Sequence, residues 1–291
     1  MPTALINGKS DQLLEVADRG LNYGDGIFET IQVRDGVALL WERHLNRMRS
    51  GAKRLKIPFD DSTVALFLAD CQALVSQSAG HSVLKLILTR GNAQRGYKIT
   101  LTNPVTRIAM LSAMPAMSQW QSRGISVLFC QTQLARQPLL AGIKHLNRLE
   151  QVIARSEWDS ADITEGVVCD TQGNLVEGCM SNLFWIKEQT LFTPRLNFSG
   201  VEGIVRNLLL ELCAKEGKLS ICEGFYKRQA LLEADEIFMT NSVFDLLAVT
   251  QIHVEPSNIN GGLPSLKYKF GPKTSALNAL LQQYYLREVS S

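Results

Sequence analysis

The stretch 114–124 (MPAMSQWQSRG) breaks every periodicity around it, with Pro115 and Gly124 set between two strand-like runs. The chain is therefore expected to fold as two domains, residues 1–118 and 125–291, joined by a linker at 119–124. Ahead of the break, residues 4–7, 13–16, 26–33 and 37–40 are short apolar or alternating runs. Asn7-Gly8, Arg19-Gly20 and Asp35-Gly36 punctuate them, as in an antiparallel meander. At Trp41 the period changes. Trp41, Leu45, Met48, Ala52 and Leu55 recur at steps of four and three, which predicts an amphipathic helix ending before Pro58. A second helix over 63–75 with Ser62 as N-cap and buried strands over 83–89 and 106–112 complete the first domain. Beyond the break the pattern predicts a strand at 125–131, a helix at 145–158 and a hairpin-rich region over 163–193. A helix at 205–215, a short helix at 228–234, a strand at 236–240 and a closing helix at 274–285 follow. The fold class is α/β (α+β).

With 291 residues, 45% hydrophobic and 20% charged, the chain can bury a large core. Thirty Lys and Arg against 28 Asp and Glu give a net charge of +2, too balanced for a life on a nucleic-acid backbone or an anionic membrane. The basic face of the first helix (Arg43, Arg47, Arg49, Lys53, Arg54, Lys56) reads as a solvated surface, because no second basic cluster with aromatics accompanies it. No apolar run approaches the ~20 residues of a membrane span, and no basic stretch leads into a long apolar one at the start. A cytoplasmic protein with a small-molecule partner is expected. The six cysteines form no C-x-x-C pair, the four histidines show no ligand spacing, and the glycines around Gly24 and Gly26 make no dinucleotide fingerprint. No metal is expected.

Lys144 is the residue with most chemical promise. It follows Leu139-Leu140-Ala141-Gly142-Ile143 and is expected to open a helix, where apolar neighbours and helix-start amides both disfavour an ammonium. A lysine so placed is a nucleophile toward carbonyls. Taken alone, an ordinary exposed lysine fits the same pattern.

The run 141–151 (AGIKHLNRLEQ) resembles the Schiff-base lysine segment of the aminodeoxychorismate lyases, a branch of the fold-type IV pyridoxal-phosphate enzymes related to branched-chain and D-amino-acid aminotransferases. Five further stretches carry the resemblance in order: 18–30 (DRGLNYGDGIFET), 44–48 (HLNRM), 90–97 (RGNAQRGY), 177–184 (EGCMSNLF) and 203–206 (GIVR). The resemblance implies a two-domain fold like that of D-amino-acid aminotransferase, with pyridoxal 5'-phosphate at the domain interface and a homodimeric assembly. It implies that Lys144 carries the cofactor and moves protons, and that Glu177 faces the pyridine nitrogen and keeps it protonated. Arg47, Ser242 in the turn Thr240-Asn241-Ser242, and the backbone of Ile204 and Val205 at a helix start would hold the phosphate. Arg95, with Tyr97 beside it, would receive a substrate carboxylate, and Thr30 would line the pocket and hydrogen-bond the departing pyruvyl group.

The expected activity is conversion of 4-amino-4-deoxychorismate to 4-aminobenzoate and pyruvate, in folate biosynthesis. An aminotransferase of branched-chain or D-amino acids would use the same cofactor machinery, and a cofactor-free dimeric binding protein is a third reading.

Overall fold

The structure, a computed structural model, describes residues 3–11, 13–76, 80–254 and 265–290. The chain divides into two compact units. The first comprises Met1–Pro115, Ile143–Asn147 and Tyr285–Ser291, the second Ala116–Gly142 and Arg148–Tyr284.

The first unit runs β1 (Thr3–Ile6), α1 (Arg19–Tyr23), β2 (Gly26–Arg34), β3 (Val37–Ala38), α2 (Trp41–Leu55), α3 (Asp61–Val75), β4 (Ser82–Thr89) and β5 (Thr106–Ala113). Its strands form an antiparallel sheet in the order β1-β5-β4-β2-β3. Alternation along β2 sends Ile27, Ile31 and Val33 into a core shared with Met48 and Ala52 of α2, Phe67 and Leu74 of α3, and Leu84, Leu86 and Leu88 of β4. The spacing from Trp41 is realised in α2, which buries His44, Leu45, Met48, Gly51 and Ala52 and places Glu42 in its first turn and Lys53 and Arg54 in its last, matching the helix dipole. Helix α3 begins two residues earlier than a Ser62 cap would place it: Asp60 is the N-cap, its carboxylate accepting Thr63 N–H at 2.8 Å. That bond, with those from the Ser62 and Thr63 hydroxyls, holds the Asp60 carboxyl at about 2. Residues 13–16 form no strand; Leu13 and Val16 are exposed. The five-residue α1, capped by Asp18 through Gly20 N, was hidden by the Arg19-Gly20 turn signal.

In the second unit follow α4 (Ser118–Arg123), β6 (Ile125–Leu134), α5 (Leu149–Arg155), β7 (Glu165–Asp170), β8 (Leu175–Gly178), β9 (Asn182–Lys187), β10 (Thr190–Pro194), α6 (Ile204–Glu216), β11 (Ser220–Gly224), α7 (Arg228–Leu232), β12 (Glu236–Asn241), β13 (Asp245–His253), β14 (Ser265–Lys267) and α8 (Pro272–Ser290), whose end from Tyr285 groups with the first unit. Among the described residues its strands make one sheet in the order β11-β10-β9-β12-β13-β6-β7-β8, with β14 on β13. β6 runs parallel to both β13 and β7, so the middle of the sheet is covered on both faces and its strands read as apolar runs. Among the described residues no helix is long and apolar enough to cross a membrane.

Candidate active site

Lys144 does not open a helix. The helix expected over 145–158 is confined to α5, which starts at Leu149, and the residues before it are extended beside β2. Phe28 N donates to the Lys144 carbonyl at 2.9 Å and Leu146 N to the Gly26 carbonyl at 3.0 Å. Ile143 joins the core of the first unit, which is why this short stretch leaves the chain around it and groups there. No helix starts at Lys144, and its Nζ lies over the Phe28 ring, 4.3 Å from the centroid. A second amine, Lys85 of β4, is 5.3 Å from the same centroid and pairs in register with Thr30, which is half-buried on the same face of β2 as Phe28.

The opposite face of β2 carries Glu29, a carboxylate among aliphatic neighbours. Arg47 grips it with Nε on Oε1 at 2.8 Å and Nη2 on Oε2, while His44 Nδ1 lies 2.6 Å from Oε2. Burial alone would raise the Glu29 carboxyl; the Arg47 charge and the bonds from His44 and Arg47 outweigh it and hold the group at about 2. For His44 burial is again the largest influence, opposed by Glu29 and reinforced by the charges of Arg47 and Lys144, and the imidazole is pushed below its ordinary value. His44 is therefore neutral, gives its Nδ1 proton to Glu29, and keeps Nε2 buried without a partner. Arg47, 12% exposed, has one edge of its guanidinium fixed by this carboxylate. Arg95 and Tyr97 stand on an exposed loop of the same unit.

In the second unit Glu177 lies on β8, buried, with Oε2 accepting Val201 N–H at 2.7 Å. Arg148, half-buried, is lowered by desolvation, with Glu177 as the charge that most opposes the shift. The turn after Glu177 is shaped by Glu165, whose carboxylate collects Gly166 N, Cys179 N, Met180 N and Ser181 Oγ. Burial raises the Glu165 carboxyl in spite of these donors. Ile204 and Val205 begin the thirteen-residue α6 behind Gly203, with no side chain capping the first amides. A Cβ on Gly203 would sit 1.8 Å from Asn182 Oδ1, so only glycine lets this backbone lie so close to its neighbour. Ser242 is half-buried in the turn after β12, which Asn241 Oδ1 closes by accepting Val243 N and Phe244 N; Thr240 Oγ1 beside it is buried without a partner.

Each unit by itself carries groups that suit a phosphorylated pyridine aldehyde: the first an amine on an aromatic face, the second a buried carboxylate of the kind that pairs with a ring nitrogen, and uncapped helix-start amides and an orphaned hydroxyl of the kind that bind a phosphate. Sequence reasoning passed over Glu29, His44, Lys85, Arg148, Glu165 and Thr240. Glu29, His44 and Arg148 lie inside the motif stretches and Thr240 in the turn of Ser242, but none was assigned a role; Lys85 and Glu165 lie in no motif.

The sequence profile of the amino-transferase class IV family matches residues 26–252. The chain belongs to this family. Aminodeoxychorismate lyase of Vibrio harveyi is 37% identical over 256 residues, spanning 88% of this chain and 93% of that protein. The crystal structure of 4-amino-4-deoxychorismate lyase from Pseudomonas aeruginosa matches with a TM-score of 0.86 and 38% identity, over 96% of this chain and 98% of that one. A hypothetical aminotransferase from Mycobacterium tuberculosis in its PLP-bound form has a TM-score of 0.78 at 20% identity, over 99% and 100% of the two chains, a likeness of fold alone. The fold-type IV architecture implied by the resemblance is the one this class IV chain adopts.

Proposed function

We propose that this chain is a pyridoxal-phosphate-dependent lyase that converts 4-amino-4-deoxychorismate to 4-aminobenzoate and pyruvate, serving folate biosynthesis. The observation that carries the reading is that sequence likeness and fold likeness, each over most of the chain, lead to proteins of the same activity. Bound pyridoxal phosphate supplies an electron sink for the carbon next to the substrate nitrogen. Lys144 would hold the cofactor through Nζ until the substrate amine displaces it, and the freed Lys144 amine would then take the proton from the ring carbon that bears the amino group. Glu177 accepts the hydrogen bond of the pyridine nitrogen and keeps it protonated. Arg47, Ser242 and the backbone amides of Ile204 and Val205 hold the phosphate. Arg95, with Tyr97 beside it, receives a substrate carboxylate, and the Thr30 hydroxyl hydrogen-bonds the leaving pyruvyl oxygen. Aromatisation of the ring drives the carbon–oxygen bond to break, and no second substrate is consumed.

A homodimer in the cytoplasm fits this reading. Leu149, Val152 and Ile153 leave an exposed apolar face on α5, of the kind that partner surfaces cover. The six cysteines are free thiols, as a reducing compartment would keep them.

The test offers the cofactor-loaded protein 4-amino-4-deoxychorismate in one arm, and branched-chain L-amino acids or D-alanine with 2-oxoglutarate in the other. Release of pyruvate and 4-aminobenzoate in the first arm is expected. Efficient transamination in the second with no pyruvate in the first would make the chain an aminotransferase.

A further inference from the structure

The segment that carries Arg95 is tied down at its root and near its tip through one carboxylate. Asp25, in the turn between α1 and β2, accepts Arg19 Nε at 2.8 Å and Arg90 Nε at 2.7 Å on Oδ2, and Arg90 Nη2 at 2.9 Å on Oδ1. Arg90, the root, continues to the Leu55 and Lys56 carbonyls at the end of α2. Arg19 reaches the tip, its Nη1 donating to the Gly96 carbonyl at 2.8 Å, while Gly96 N donates to the Tyr23 hydroxyl at 3.2 Å. Gly96 has φ +101°, a conformation side-chain-bearing residues rarely adopt, and it stands between Arg95 and Tyr97. The direction in which those two side chains leave the backbone is thus set where Arg19 and Tyr23 hold it. The Tyr97 ring also packs 5.4 Å from that of Tyr23.

Both arginines are buried, 4% exposed, and a buried ion pair adds little net stability because desolvation offsets attraction. What such a cluster does well is fix geometry. Burial pushes the Asp25 carboxyl up, but the bonds and charges of Arg90 and Arg19 bring it below its ordinary value, so the cluster stays ionised at neutral pH.

We propose that Arg19 and Asp25 are positioning residues that hold the Arg95–Tyr97 segment and thereby set the affinity for the carboxylates of the substrate, without touching substrate or cofactor. The proposal rests on the reading of Arg95 as a carboxylate receptor. None of the resemblance that points to the activity requires it, since it follows from the bonds to Gly96.

The experiment compares wild type, Arg95→Ala, Arg19→Gln and the double variant, all loaded with pyridoxal phosphate. It measures KM and kcat for 4-amino-4-deoxychorismate, the cofactor absorbance, and hydrogen exchange at the Gly96 amide. Arg95→Ala should raise KM about tenfold by removing a charge-assisted pair. Arg19→Gln should raise KM about fivefold with kcat changed less than about twofold, unaltered cofactor absorbance and faster exchange at Gly96. In the Arg95→Ala background the Arg19→Gln effect on KM should shrink below about twofold, because it acts through Arg95. Tyr23→Phe, which removes only the acceptor of the Gly96 N–H, repeats the test if Arg19→Gln does not fold. An Arg19→Gln effect of equal size with and without Arg95, a loss confined to kcat, or unchanged exchange at Gly96 would overturn the inference alone. An unchanged KM in Arg95→Ala would overturn the reading of Arg95 and this inference with it.

Discussion

At Glu29 a buried carboxylate is met by an imidazole and a guanidinium that both hydrogen-bond it, whereas at Gly203 a thirteen-residue helix begins with no side chain on its first amides. The first region is complete apart from His44 Nε2, and Glu29 fixes one edge of the Arg47 guanidinium. The second holds Thr240 Oγ1 buried without a partner close to the turn of Ser242. Polar groups left in that state carry a desolvation cost that an incoming acceptor relieves. The first unit thus holds an ion pair already satisfied within the chain, and the second holds polar groups that the chain itself leaves unsatisfied.

The sharpest way to break this division of labour is to remove the amine. Lys144→Ala should lower turnover by about 10^4-fold and abolish borohydride trapping of the cofactor, with Lys85 failing to substitute. Trapped cofactor mapped by peptide mass spectrometry to Lys85 would move the chemistry to the other lysine over Phe28. Glu177→Gln comes next: cofactor should remain bound, as its absorbance would report, while turnover falls by about 10^2-fold because ring protonation is weakened.

Glu29→Gln tests the preset side. Losing the carboxylate removes the charge that Arg47 and His44 bond, and denaturant unfolding should show a loss of about 3 kcal/mol. The same cluster fixes the pH response. Glu29 titrates at about 2 in the folded chain against 4.5 ordinarily, so its contribution is present above 4.5 and is lost as pH falls through that value toward 2. His44, lowered from 6.5, contributes stability above 6.5 that is lost as pH falls, because the unfolded chain takes a proton that the folded one refuses. His44→Asn should therefore flatten the decline in Tm between about pH 7 and about pH 5. A decline as steep as in wild type would show that His44 is not held neutral. At the helix start, Gly203→Ala forces a methyl against the buried Asn182 and should weaken pyridoxal phosphate binding about tenfold, read from cofactor titration, together with a fall in the apo protein's Tm.

How much of this was legible beforehand depended on whether a signal is local. The α2 stripe from Trp41 to Leu55 and the alternation of β2 are local, and both elements fall where the spacing puts them. Lys144 was found as a residue but misplaced in structure, because the apolar spacing after it belongs to α5 while the lysine itself is paired beside β2, a partner more than a hundred residues away in sequence. β13 (Asp245–His253) was missed for the opposite reason: a strand between parallel and antiparallel neighbours is apolar on both faces and shows no alternation. Glu29 and Glu165 acquire meaning only from the donors that converge on them, Glu165 from the turn that follows Glu177 and Glu29 from α2. The Ser62 cap was misassigned by two residues because both Asp60 and Ser62 are good caps, and only the reach of the carboxylate to Thr63 N decides between them.

The measurement that bears most directly on the account is the stoichiometry of products over many turnovers with no keto acid present. The protein, loaded with pyridoxal phosphate, is given an excess of 4-amino-4-deoxychorismate, and pyruvate and 4-aminobenzoate are followed together. An elimination restores the cofactor in each cycle, so both products should accumulate one to one and linearly, far beyond the concentration of active sites. Turnover that stops after a single equivalent and resumes only when 2-oxoglutarate is added would contradict the lyase reading and leave an aminotransferase.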